Sequence, residues 1–332
     1  MSNLEAQNIE VLNKHAKTFY MASLFLGKED REDAALLYRF AREVDDIVDE
    51  GGFSNTQEVI HEIHEGLHSG SSNYDYISSF NKRFTELEMP FSYADELIKG
   101  VSWDIDNSYI QTERDLLIYC YRVAGVVGLM MCAALKINDS KAWAFAIDLG
   151  MGMQLTNISR DVLEDLVEKD RVYLPAEMIE AYANRLAVNQ PHQKDTSKVL
   201  RKTTLNSDLM REAVIDLTEY YLLRAEAYYE SAENGLHYIP FRARFAILVA
   251  ARVYRAIGLK ILKNRGSFLK DRVFVTKTEK LILFVKCCFL FFTPKIMGWK
   301  VVDHNTKLHH DLAGLPGVKT GVRPLKPLDF QA

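Results

Sequence analysis

Proline is scarce. The 332 residues hold eight, three of them (Pro316, Pro324 and Pro327) in the last stretch and none between Pro90 and Pro175. Proline interrupts helices and marks turns, so this long proline-free span leaves room for long helices. Cysteine is scarcer still, with four residues. Cys120, Cys132, Cys287 and Cys288 sit in apolar surroundings, with no CxxC and no histidine at zinc-ligand spacing. That excludes a disulfide scaffold and reads as buried free thiols in a reducing cytoplasm. Excess charge is missing too. With 41 Lys and Arg against 45 Asp and Glu, the net charge of -4 gives no general attraction to nucleic acid, and no such partner is expected. The N-terminus lacks the apolar core of a signal peptide, and no apolar run reaches the roughly 20 residues that cross a bilayer. The nearest approach, Leu281 to Phe292, carries Lys286 and is expected to be a buried helix or one lying on a membrane.

What is abundant is helical periodicity. Apolar residues recur three and four apart at Leu36, Leu37, Phe40, Val44, Ile47 and Val48, again at Leu116, Leu117, Val123, Val127, Met130 and Met131, and again at Ala246, Val249, Ala250, Val253 and Ile257. Alternating, strand-like patterns are rare. The reading is an all-α chain of eight or more helices, with breaks near Gly51-Gly52, Ser69 to Asn73, Met89-Pro90, Lys136 to Ser140, Asn189 to Ser197 and Asn234 to Pro240. None of these breaks has the length or composition of a linker between two cores, so residues 1–313 are expected to form one helical domain, followed by an irregular tail over 314–332.

Two segments carry the chemistry. Tyr38, Arg42, Asp45 and Asp49 are spaced by four, three and four, which puts them on one helical face; Gln154, Asn157, Asp161 and Asp165, spaced by three, four and four, form a second row. Carboxylates one turn apart repel by roughly 0.2 to 0.5 kcal/mol on a bare helix, so a pattern repeated twice implies a compensating cation. A lone acidic pair would read as a solvated face. Here each row has a neighbouring arginine, Arg42 or Arg160, and apolar flanks such as Val44, Val48, Leu155, Ile158 and Val162, which a solvated helix does not need. Hard oxygen donors without His or Cys favour magnesium over zinc, and magnesium completes its octahedron with water and phosphate oxygens. The expected ligand is therefore a phosphate.

A third pattern, His64-Glu-Gly-Leu-His68, satisfies the zinc-protease signature HExxH. It is set aside because Gly66 weakens the helix, Ser69 to Ser72 end it, and no clear third ligand follows.

The segments His15-Ala-Lys-Thr-Phe19, Tyr38-Arg-Phe-Ala-Arg42 with Asp45-Asp-Ile-Val-Asp49, Tyr119 to Met131, Gln154 to Asp161 with Asp165, Arg171-Val-Tyr-Leu-Pro175 and Ala251 to Ile257 occur in the order found in the squalene and phytoene synthase family. Over about residues 11 to 285 the chain resembles that family, and most of all its bacterial phytoene synthases. The resemblance implies an isoprenoid synthase-type helical bundle with a central apolar cavity. It implies that Asp45, Asp49, Asn157, Asp161 and Asp165 bind magnesium, with manganese as a substitute, and that the aspartates are essential to catalysis. His15, Lys17, Arg42, Gln154, Arg160, Tyr254 and Arg272 would hold diphosphate oxygens, with Tyr38 at the same mouth. Tyr119 and Tyr173 would stand near the reacting carbons. The stretch Val123 to Met131 would line the cavity, with Ala124, Gly125 and Gly128 leaving room for long chains.

The implied reaction is head-to-head condensation of two geranylgeranyl diphosphates through a cyclopropyl diphosphate to phytoene, in carotenoid biosynthesis, without NADPH. Dehydrosqualene or squalene synthesis from two farnesyl diphosphates is the nearest alternative; a non-catalytic helical assembly protein, a more distant one, would have lost the acids that are present here. Nine Lys or Arg between Arg252 and Lys280, against Asp271 and Glu279, precede the apolar run from Leu281. Basic next to apolar suits a surface-lying helix. Peripheral association with the cytoplasmic membrane face, and downstream carotenoid enzymes as partners, are the corresponding expectations.

Overall fold

The computed structural model describes residues 3–50, 53–105, 109–188, 205 and 207–319. Every regular element among them is helical: α1 (Asn3–His15), α2 (Lys17–Ser23), α3 (Lys28–Glu50), α4 (Phe53–Ser69), α5 (Asp75–Glu86), α6 (Ser92–Ser102), α7 (Glu113–Cys120), α8 (Val126–Ala134), α9 (Lys141–Glu168), α10 (Ala176–Val188), α11 (Asp208–Gly235), α12 (Phe241–Lys263), α13 (Lys277–Leu290) and the short α14 (Pro294–Met297). A π-helical turn, Tyr121–Gly125, joins α7 to α8. The breaks expected at Ser69 to Asn73, Met89-Pro90, Lys136 to Ser140 and Asn234 to Pro240 all fall between helices. Those at Gly51-Gly52 and Asn189 to Ser197 lie outside the described residues, as does the tail from residue 320.

The apolar periodicity of α3 is realised as a buried stripe of Leu36, Leu37, Phe40, Val44 and Val48. Phe40 stacks on Phe80 of α5 at 4.0 Å, and Phe80 on Phe84 at 4.4 Å. Burying each such ring contributes roughly 1.5–3 kcal/mol, which is what holds α3 against α5. At the centre lies α9, whose 28 residues pack against α8, α11 and α12. Its inner face buries Met151, Leu155, Ile158, Val162 and Leu166, and the same spacing leaves Gln154, Asn157, Asp161 and Asp165 half-buried along one edge. Threonine-led capping boxes fix two starts, Thr112 with Asp115 at α7 and Thr276 with Glu279 at α13.

Three features differ from the sequence reading. The glycines expected to leave room for substrate instead let helices touch. A β-carbon on Gly128 would lie 2.2 Å from the Ala146 carbonyl oxygen, and one on Gly150 would lie 2.2 Å from that of Ala124, so α8 and α9 cross glycine to backbone. Second, the continuous helix Glu113–Ala134, 22 residues of mean hydropathy 1.8, is long and apolar enough to cross a membrane by composition. It runs through the core instead, with Leu116, Leu117, Cys120, Tyr121, Val126 and Met130 buried. Third, Cys120, Cys132 and Cys287 are buried thiols as expected, but Cys288 is only half-buried.

The C-terminal segment is irregular yet docked. Tyr121 donates to the Pro316 carbonyl, and Leu315 and Val318 pack on the main core. Within α13, Cys287 turns inward, followed by Phe291 just past its end, whereas Leu281, Ile282, Val285, Phe289 and Phe292 face outward, Phe289 being 77% exposed.

Candidate active site

The two oxygen rows are brought to one mouth by α3 and α9. From α3 come Tyr38, Arg42, Asp45 and Asp49, and from α9 come Gln154, Asn157, Arg160, Asp161 and Asp165. Two basic residues just past the end of α9 tie the rows together. Lys169 donates to Asp49 at 2.9 Å and lies 4.0 Å from Asp165; Arg171 donates to Asp49 at 2.6 Å. The sequence reading included Arg171 in a motif without a role and passed over Lys169, which stands one turn after Asp165 but just past the helix end.

Charge is unevenly distributed over the carboxylates. Burial raises Asp45 to about 6, aided by the negative charge of Asp49. Burial likewise raises Asp165 to about 7, with Asp161 and Glu164 adding to the shift. Asp49 goes the other way: burial alone would lift it, but the hydrogen bonds from Lys169 and Arg171 hold it below the usual carboxylate range. Two acids that resist ionisation beside three other oxygen ligands are what a site built around a cation looks like without one. Asn157 gives independent support, because its Oδ1 is buried with no hydrogen-bond donor while its Nδ2 donates to Gln154 at 3.4 Å. An oxygen-only donor set with an unsatisfied acceptor fits magnesium.

Cationic groups crowd the same mouth. Arg42 pairs with Asp46 and, at 3.4 Å, with Asp45. Arg160 lies on its neighbour Asp161 with Nε at 2.8 Å from Oδ1, and Arg272, from the loop after α12, reaches Asp161 at 3.1 Å and Glu164 at 3.2 Å. Tyr254 of α12 stands among Arg160, Asp161 and Arg272, and near Tyr38 on α3. Burial raises both phenols, Tyr38 to about 12, so each remains a hydroxyl donor. His15 and Lys17 are exposed at the α1/α2 junction, where no ion pair among the described residues joins them to either row. They are carried alongside α12 by Phe19, whose ring is 5.4 Å from that of Tyr254.

Deeper in, Tyr119 and Tyr173 stack at 4.9 Å, and their hydroxyls donate to the two oxygens of one carboxylate, Asp104, each at 3.0 Å. Burial raises Asp104, and only partly is this offset by Arg171 and the two hydroxyls. Burial also lifts both tyrosines well above the ordinary phenol value, so they stay protonated. Asp104 was missed in the sequence; its signal is an acid set between the large apolar residues Trp103 and Ile105. Below the mouth, a small crevice is lined by Ile158, Val162, Asp165, Leu166, Arg171 and Tyr173 with their neighbours.

The objection to His64 and His68 also needs correction. α4 continues through Gly66 to Ser69, and α6 supplies the third group that was thought missing, Asp95.

A family model described as squalene/phytoene synthase matches residues 12–279. The 15-cis-phytoene synthase of Enterobacter agglomerans is 32% identical over 282 residues, which are 81% of this chain and 90% of that protein. The phytoene synthase of Thermus thermophilus is 32% identical over 279 residues, covering 84% and 90%. Among solved structures, a dehydrosqualene synthase in complex with ligand is similar with a TM-score of 0.71 at 25% identity, covering 86% of this chain and 96% of the other. A squalene synthase from Alicyclobacillus acidocaldarius, at 19% identity and a TM-score of 0.62, shares the fold over 80% of this chain and 97% of its own.

Proposed function

Because the chain belongs to the squalene/phytoene synthase family and is thus a prenyltransferase-type enzyme, we propose that it joins two geranylgeranyl diphosphates head to head to make phytoene, a step of carotenoid biosynthesis. The observation that carries this reading is the meeting of the α3 and α9 oxygen rows at a mouth ringed by Arg42, Arg160, Lys169, Arg171 and Arg272. The phytoene synthases of similar sequence support the twenty-carbon substrate.

In this scheme Asp45, Asp49, Asn157, Asp161 and Asp165 hold magnesium, or manganese, which the same hard donors accept. When bound, the metal supplies Lewis-acid stabilisation of the charge that develops on departing diphosphate. Arg42, Arg160 and Arg272 turn from their carboxylates to diphosphate oxygens, and His15, Lys17, Gln154, Tyr38 and Tyr254 complete the cradle. Departure of the first diphosphate leaves an allylic cation, which the second substrate's double bond attacks; proton loss then closes a cyclopropyl diphosphate. A second ionisation, rearrangement and proton loss give phytoene, with no NADPH consumed. Tyr119 and Tyr173 turn ring faces toward cationic carbon, and Asp104 fixes their hydroxyls. The apolar wall of Ile158, Val162 and Leu166 keeps water from quenching the cations.

Dehydrosqualene synthesis from two farnesyl diphosphates is the second reading, favoured by the similarity to the dehydrosqualene synthase structure. The deciding experiment incubates the protein with magnesium and either diphosphate, with and without NADPH, and weighs the hydrocarbon. A forty-carbon product without NADPH supports phytoene synthesis, a thirty-carbon one moves the assignment to the second reading, and no product from any combination refutes both.

We further propose that α13 rests on the cytoplasmic face of a membrane, where later carotenoid enzymes would meet the bilayer-soluble product. Its outward residues Leu281, Ile282, Val285 and Phe289 lie beside Lys277 and Lys286, a pairing of apolar and cationic groups suited to anionic lipid. Sedimentation with anionic vesicles, lost on Leu281→Asp/Phe289→Asp, is the expected result; no sedimentation of the parent chain would refute it.

A further inference from the structure

The helices α4 and α6, which pack on each other and on α3, place three ligand-type side chains together. His64 and His68 are one turn apart on α4, with ring centroids 4.7 Å from each other. Asp95 comes from the first turn of α6. Both Nε2 atoms converge on the same carboxylate oxygen, Asp95 Oδ1, at 3.4 Å from His64 and 2.7 Å from His68. All three ligand atoms lie within 4.8 Å of one another. The histidines are half-open to solvent and Asp95 less so, which leaves coordination positions for water.

The local packing explains why the histidines are held there. A β-carbon on Gly66 would lie 2.7 Å from Ser72 Cβ, so the turn between the two histidines is pressed onto the start of the next segment and its rotation is fixed. Asp95 is anchored by its backbone N–H, which donates to the Phe91 carbonyl at 2.9 Å. Two rigid helices thus present two imidazole nitrogens and one carboxylate oxygen to a common point. This donor set differs in kind from the all-oxygen rows of the mouth, and mixed nitrogen and oxygen ligands select zinc-like ions over magnesium.

We propose that His64, His68 and Asp95 form a binding site for a zinc-class divalent ion, separate from the diphosphate mouth, which clamps α4 to α6. A second group, Asp148 with His304 and His309, looks similar but is built differently. There each histidine donates to its own oxygen of Asp148, at 2.9 and 2.7 Å, and the Nδ1 of fully buried His309 has no partner. His309 and Asp148 are fully buried and His304 nearly so, which leaves a bound ion no positions for water. That group is a hydrogen-bonded latch, and it provides the control.

The full chain, stripped with a chelator and held in excess magnesium, is titrated with zinc against a chromophoric zinc indicator, and in parallel with cobalt(II) followed by its visible absorption. One equivalent of zinc and a cobalt spectrum with nitrogen ligation are expected. His68→Ala and Asp95→Asn should each weaken zinc by roughly 100-fold or more, since even losing a supporting partner of a ligand costs roughly 10–100-fold, while His304→Ala leaves the titration unchanged. His64→Gln, which keeps the side chain's bulk, serves if His68→Ala loses its helical circular dichroism. No zinc retained by the parent chain overturns the proposal, as does retention undiminished in the α4 and α6 variants or lost equally in His304→Ala.

Discussion

Replacing Gly128 by alanine separates a packing glycine from a substrate-lining one. In an ordinary helix interior the change stabilises by roughly 0.5–1 kcal/mol, because glycine gives up more backbone freedom on folding. Here the added β-carbon would stand 2.2 Å from the Ala146 carbonyl oxygen and 2.7 Å from its carbon, both backbone atoms of α9 that cannot rotate aside. Restoring an ordinary contact moves α8 and α9 apart by about 1 Å, and the reciprocal contact of Gly150 with Ala124 opens with it. Overpacking of this sort costs roughly 1–3 kcal/mol. Subtracting the propensity gain leaves a net loss of about 1–2 kcal/mol. For a chain of this size that lowers the thermal midpoint by roughly 1.5–3 °C. Gly125→Ala is the internal comparison. Its nearest new neighbour is the Tyr121 ring at 3.1 Å, a side chain that can yield, so its loss should be smaller. The assay is thermal unfolding by circular dichroism, together with the product profile. Gly128→Ala as stable as the parent, with a shortened product, would refute the packing account and restore the glycine to the cavity wall.

Asp45→Asn should abolish condensation while leaving the thermal midpoint unchanged or raised, since it removes an acid whose charge burial and then Asp49 already disfavour; turnover near the parent's would sink the metal assignment. Asp104→Asn keeps the shape of the acceptor but not its charge, so the hydroxyls of Tyr119 and Tyr173 lose their fixed orientation and kcat should fall more than KM rises. Equal changes in both would place Asp104 in folding and not at the reacting carbons. Asp148→Asn should cost about 3 kcal/mol at neutral pH, because it leaves two histidine donors facing an amide in a buried site. Burial alone would raise Asp148, but hydrogen bonds from His304 and His309 hold it below its ordinary 3.8. A depressed carboxylate contributes stability that is complete above the ordinary value and is lost as pH falls through the lowered one. The parent should therefore lose this contribution only in strong acid, and the variant should lack it throughout; parallel acid-unfolding curves of equal stability would contradict the latch.

The two oxygen rows were legible because their members are neighbours on a single helix, so spacings of three and four place them before any fold is known. The partners that give those rows their charge were not. Lys169 and Arg171 meet Asp49 from 120 and 122 residues away, and Tyr173 finds Asp104 across 69. The same limit explains the glycines of α8: their spacing announces a close approach, but only the fold decides whether α9 or a ligand approaches. It explains HExxH as well, since the third ligand comes from α6, 27 residues beyond His68, on a helix whose crossing with α4 no local pattern specifies.

The raised carboxylates show how local and distant information combine. Each of Asp45 and Asp165 sits one turn from another acid of its own row, and that like-charge pressure is written in the sequence. Burial adds the larger push; Lys169 offsets it in part at both acids and Arg171 at Asp165, yet their hydrogen bonds go to Asp49, and Asp45 and Asp165 stay raised. A fold that served only stability would have spread two cations over the acids evenly. Concentrating them on one carboxylate leaves the other two, with the unsatisfied Asn157 oxygen, as the positions where an added cation gains most.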